Sequence, residues 1–194
     1  MTTAEFIAAL KEHGPKHVYH NCLLSNDVFL FAQSFNAPSD VIYHEFKGKV
    51  STALNIAAPN IAIVGSAKTG FSLTPGRGLS PFHSESDLDL VLVSSKWFKY
   101  LWDAHLEYMY SYSGISYKNT AKEVFRHFIS IKTEEISGEK LNFFKDWIEV
   151  ADALRKDLQI EFKLPSEINY RIYEDWYFVE KYHLAGINQL QGQL

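Results

Sequence analysis

The 194-residue sequence predicts an α+β fold, and three observations carry that reading. Short apolar runs at Ile61–Val64, Asp87–Val93 and Ile168–Tyr173 have strand length and either continuous or alternating apolar character. Longer stretches around them place apolar residues at helical spacing. No internal repeat, low-complexity tract or linker divides the chain, and a hydrophobic content of 46% suffices for one core, so residues 1–194 are read as a single domain.

Taken in order, Ala4–Lys11 reads as a first helix that Gly14-Pro15 ends. His17–Gln33 is open between helix and extended chain. His13, His17 and His20 stand at i, i+4 and i+7, a spacing that suits a metal on an unbroken helix, but Gly14-Pro15 interrupts it. Asn36-Ala37-Pro38-Ser39 forms a turn, with Ser39 or Asp40 as N-cap of a helix over Asp40–Ile56. Val41, Ile42, Phe46, Val50 and Leu54 give that helix its apolar face. Ala58-Pro59-Asn60 then delivers the chain into the Ile61–Val64 strand, which stops at Gly65-Ser66. A Gly-, Pro- and Ser-rich loop leads to the Asp87–Val93 strand. Ser94 or Ser95 caps an aromatic helix, Lys96–Tyr112, broken by Ser113-Gly114. Asn119 or Thr120 caps a helix running through about Ile129, and Ser137-Gly138 opens another over Glu139–Leu158. Gln159–Leu164 either alternates as a strand or is the frayed end of that helix. A turn at Leu164-Pro165-Ser166 precedes the Ile168–Tyr173 strand, and Asp175–Gln191 is a final helix carrying Tyr182 and His183.

A net charge of −4 gives no general pull toward nucleic acid or an anionic membrane, so any nucleic-acid contact must be a local patch. The lone Cys22 excludes an internal disulfide and multi-cysteine zinc patterns. The first residues lack a signal-peptide apolar core, and no apolar run reaches membrane-spanning length; a cytoplasmic protein with no membrane partner is expected. Aromatic residues make up 15% of the chain, crowded at Trp97–Tyr117 and Tyr170–Tyr182. They serve either as core or as a stacking surface for a base or a protein partner. Glu134 and Glu135 form a local acidic spot that reads as a solvated face.

The chemistry concentrates at Ile61–Val93. Strand side chains alternate, so Asp87 and Asp89 point one way while Leu88, Leu90 and Leu92 point the other. Adjacent carboxylates repel, and a divalent cation compensates them best; otherwise the pair is a solvated strand end. Gly65 lets the backbone approach a bound group, and the N–H groups at Ser66 favour an anion such as a triphosphate. Lys68 and Arg77 in the same loop are candidates to neutralise phosphate oxygens, Arg77 with a planar fork. Residues Gly65 to Ser72 mimic the G-x-x-x-x-G-K-[ST] loop, but Phe71 stands where the lysine is required, which argues against that class of nucleotide site.

A strand ending in Gly65-Ser66, followed by an Asp-apolar-Asp-apolar strand, resembles the DNA polymerase beta-like nucleotidyltransferase superfamily. The wording VGSAKTGFSLTP…ESDLDLVLV is most similar to a group of small bacterial nucleotidyltransferase-domain proteins. The resemblance implies a small mixed sheet flanked by helices, a core over about residues 40–175, and appended N- and C-terminal helices. It further implies Mg²⁺- or Mn²⁺-dependent transfer of a nucleoside monophosphate from a nucleoside triphosphate such as ATP to a hydroxyl of RNA, protein or a small molecule. The hydroxyl attacks the α-phosphorus in line and pyrophosphate leaves. In that scheme Asp87 and Asp89 hold the metal, and Gly65, Ser66, Lys68, Arg77 and Arg171 hold the nucleotide.

Two departures from the family pattern stand out. Asp87 lies 22 positions after Gly65, a longer loop than is usual, so Phe71–His83 is expected over or beside the site as a lid or specificity element. The third carboxylate has no evident position: Ile168–Tyr173 offers Asn169 and Arg171, and Glu161 supplies an acid only if Gln159–Leu164 is a strand. Arg171 is then either a phosphate ligand or an ion-pair partner of Asp87 or Asp89, which would mark a metal-free site. His83 is a further candidate proton acceptor near Asp87. Beside active transfer, the resemblance leaves a catalytically reduced binding or regulatory partner, as an antitoxin or a subunit of a phage-defence complex. A helical ribonuclease is set aside: its Arg-x4-6-His signature is absent, since Arg126 adjoins His127 and Arg171 is far from His183.

Overall fold

Leu88, Leu90 and Leu92 are fully buried, and the strand that carries them lies at the centre of the fold. The computed structural model describes residues 1–112, 116–164 and 167–194. Among these residues the strands β1 (Ile61–Val64), β2 (Leu88–Val93), β3 (Phe128–Ile131) and β4 (Ile168–Tyr173) form one mixed sheet in the order β1-β2-β4-β3. β1 runs antiparallel to β2, β2 parallel to β4, and β4 antiparallel to β3. The register sets Val64 opposite Asp89 on one side and Asn169 opposite Asp89 on the other.

The sheet is covered on both faces. Leu88, Leu90 and Leu92, with Ile61, Ile63, Tyr170 and Ile172, pack against α3 (Ser39–Leu54), α5 (Ser95–Ser111) and α8 (Lys145–Glu161). Ala62, Val64, Val91, Val93 and Tyr173 face α1 (Thr3–Val18), the π-helical turn Tyr19–Leu23 and α9 (Trp176–Gln191). Each fully buried leucine of β2 is worth about 2–5 kcal/mol against alanine, which ties the register of Asp89 to the packing behind it. No helix among the described residues is long and apolar enough to cross a membrane.

Most expected elements form, with displaced ends. Gly14 breaks the backbone of α1 at φ +79°, yet the helix resumes at Pro15 and runs to Val18. The stretch left open, His17–Gln33, becomes the end of α1, the π-helical turn and a short α2 (Phe29–Ser34). Ser39 does not cap α3; its hydroxyl accepts from Val28 N and donates to Val28 O, while Ser94 and Asp175 do cap α5 and α9. The acidic spot is partly engaged, Glu134 lying 3.1 Å from Arg155. The Ser113-Gly114 break and the turn residues Pro165-Ser166 lie outside the described residues.

Two expectations are corrected, and one open alternative is decided. The helix expected through Ile129 is α6 (Lys118–Phe125), which His127, at φ +57°, ends before the chain enters β3. Phe128, Ile129 and Ile131 gain burial by pairing with β4, a long-range partner that local spacing does not announce. The helix expected over Glu139–Leu158 is two, α7 (Lys140–Phe143) and α8. Residues 159–161 continue α8 rather than form a strand, because Leu158 and Phe162 stay in the helical core.

Candidate functional site

The end of the sheet where β1 stops and β2 and β4 begin opens into a cavity of about 890 Å³. Its floor is built by strand register. Asp89 and Arg171 lie on the same face of adjacent parallel strands, two register steps apart, so the long arginine reaches back to the carboxylate. Asp89 Oδ1 accepts from Asn169 Nδ2 at 2.7 Å and from Arg171 Nε at 3.2 Å, and lies 3.1 Å from Arg171 Nη2. The remaining arginine nitrogen, Nη1, donates to the Tyr182 hydroxyl of α9 at 3.3 Å. Burial opposes the Arg171 charge, but Asp89, with Tyr182 and Tyr173, more than offsets it and raises its pKa.

Gly65 completes the corner. Its φ of +70° belongs to glycine, and a Cβ there would stand 2.8 Å from Asp89 Oδ2. The expected juxtaposition of Gly65-Ser66 with an aspartate of β2 is therefore present, and Ser66 lines the cavity. Asp87, one residue before β2, also lines it, but its carboxylate is engaged by Lys132 at 3.0 Å, and Glu167 lies 3.6 Å from the same ammonium. The hydrogen bond from Lys132 to Asp87 holds that lysine above its ordinary pKa.

The other expected site residues divide. Arg77 lines the cavity on the segment that follows Gly70. That segment folds beside the site as a tied loop: Ser72 N donates to Ser80 O, Phe82 N to Gly70 O, and Gly76 N to Gln193 Oε1 near the C-terminus. His83 lines the cavity too, its Nδ1 accepting from Glu85 N at 3.3 Å. Lys68 is not brought to it. Its ammonium is buried and donates to the carbonyls of Ser25 and Asp27, and burial, with Lys47 nearby, lowers its pKa to about 8. Glu161 is also elsewhere, near the C-terminal end of α8 and paired with Lys49 of α3.

Several lining residues escaped sequence reasoning. Arg126 and His127 arrive with the unforeseen β3, Lys181 and His183 with α9. Among the described residues Arg77, Arg126 and Lys181 have no ion-pair partner. His127 pairs with Glu174 at 2.6 Å and stacks on Phe178 at 3.9 Å. His183 is held neutral by burial and by Arg171, its pKa lowered to about 3, and its Nε2 has no hydrogen-bond partner among the described residues.

No family model, curated protein or solved structure matches this chain. The chemistry of the cavity is then the guide to what it holds.

Asp89 and Asp87 are each already paired with a cation of the chain, Arg171 and Lys132. Among the described residues no group of three or more His, Cys, Asp or Glu side chains gathers around a possible ion. About 4 Å from a guanidinium a divalent cation meets a repulsion of about 8 kcal/mol at an effective dielectric constant of 20, which works against the attraction of the two carboxylates. What the arrangement offers instead is an open cavity with fixed and free cations, hydroxyls at Ser66, Ser72 and Thr74, and an exposed aromatic, Phe125.

Proposed function

We propose that this chain is a catalytically reduced, nucleotidyltransferase-like protein that binds a nucleoside triphosphate in the cavity and acts as a binding or regulatory partner. The ion pair between Asp89 and Arg171, set in the floor of a cavity walled by Arg77, Arg126 and Lys181, carries the reading. Free cations on a concave wall suit a polyanion, and a carboxylate already neutralised by a guanidinium is poorly placed to hold a catalytic metal. The Gly65–Asp89 corner supports the nucleotidyltransferase likeness. The exposed Trp102, Tyr110, Tyr117 and Phe125 offer a surface for a protein partner, and a toxin–antitoxin or phage-defence complex is the setting that likeness suggests.

Active, Mg²⁺-dependent transfer to RNA, protein or a small molecule is the second reading. Asp87 favours it, being partly exposed at the cavity, but it requires Arg171 to leave Asp89.

Calorimetric titration with ATP, GTP, CTP and UTP, beside a pyrophosphate-release assay with Mg²⁺ and several acceptors, separates the two. Binding without turnover is expected, with Arg77→Ala and Lys181→Ala each weakening affinity about threefold to tenfold, or about 0.6–1.4 kcal/mol. Turnover abolished by Asp89→Asn would establish the enzyme instead, and no binding to any of the four would end both readings.

A further inference from the structure

We propose that Arg171 is a built-in cation standing where the resemblance implies a divalent metal, so that the cavity takes its nucleotide free of Mg²⁺; this rests on the nucleotide reading above. The guanidinium is fixed rather than a swinging side chain. Nε and Nη2 engage one oxygen of Asp89, Nη1 is held by Tyr182, and the Tyr182 ring stands 5.8 Å from the guanidinium carbon. Tyr182 is itself wedged against Phe128 at 5.1 Å and Tyr173 at 6.3 Å. Asn169, directly opposite Asp89 in the register, donates to the same oxygen and adds no acid.

The second aspartate repeats the arrangement. Lys132, brought in by β3 and shared between Asp87 and Glu167, is an internal counter-ion to the other half of the pair. Each carboxylate that a metal-dependent site would present to an ion thus has a cation of the chain's own on it. A magnesium–triphosphate complex would bring a second, redundant positive charge against Arg171 and Lys132. The free triphosphate, more negative, is the better complement to Arg171, Arg77, Arg126 and Lys181.

Two measurements on the unmodified protein test this. ATP affinity in EDTA is expected to equal or exceed that in Mg²⁺, whereas binding seen only with Mg²⁺ would overturn the proposal. Titration with Mn²⁺ alone, followed by the electron paramagnetic resonance of the free ion, is expected to show no specific uptake; stoichiometric uptake would overturn it as well. In the double variant Arg171→Gln/Lys132→Gln, Mn²⁺ binding is expected to rise at least tenfold, by about 1.4 kcal/mol, and to be lost again on adding Asp89→Asn. A double variant that keeps its circular dichroism and gains no Mn²⁺ counts against the proposal. Should ATP bind under neither condition, the nucleotide reading fails, while the Mn²⁺ titrations still decide whether Arg171 masks a metal site.

Discussion

Replacing Gly65 by alanine probes the corner on which the site is built. The new Cβ would lie 2.8 Å from Asp89 Oδ2, and the backbone there has φ +70° and ψ −155°, a region that side chains disfavour. Holding a non-glycine residue in that conformation costs about 1–3 kcal/mol. Asp89 cannot turn aside freely, because its other oxygen is held by Asn169 and Arg171; giving up hydrogen bonds of that charged kind costs about 1.5–3 kcal/mol more. Together Gly65→Ala should destabilise the fold by about 2.5–6 kcal/mol. For a chain of this size that is a fall of about 5–24 °C in melting temperature. Thermal denaturation followed by far-ultraviolet circular dichroism measures it, with Gly48→Ala as the control: Gly48 lies within α3, and a Cβ there meets nothing within 4 Å. A Gly65→Ala protein melting within about 2 °C of the native chain would refute the close approach of Gly65 to Asp89.

Two further predictions concern stability and the misplaced acid. His105 is held neutral, burial first and Lys140 second lowering its pKa to about 4, and His183 is lowered to about 3. Below the ordinary histidine value of 6.5 the unfolded chain binds protons that the folded chain refuses, so stability falls as the pH drops from about 6.5 toward 4, and for His183 on toward 3. Urea midpoints at neutral and acidic pH should therefore differ less for His105→Phe or His183→Phe than for the native protein; equal losses would contradict the assignment. Glu161→Gln removes only an exposed pair with Lys49, so it should change stability by less than about 1 kcal/mol and leave nucleotide affinity as it was. A loss of binding in that variant would return Glu161 to the site.

Local pattern was enough for much of this chain. Three of the four strands among the described residues, the helical spacing of Ile42, Phe46, Val50 and Leu54, and the serine cap at Ser94 are legible because each depends on neighbours within a few residues. The corner of Gly65 against Asp89 was legible too, since a glycine ending one strand and an alternating acid in the next meet when the two strands pair. The tertiary structure alone decided the rest. β3 forms because β4 offers Phe128–Ile131 an edge, and with it come Arg126, His127 and Lys132. Lys68 turns inward because the carbonyls of Ser25 and Asp27, about forty residues away, converge on it. Whether Arg171 served Asp87, Asp89 or a phosphate turned on the register between strands some eighty residues apart. Sequence spacing constrains which way a side chain points within its own element, but which opposite charge stands within its reach is fixed only when separate elements dock.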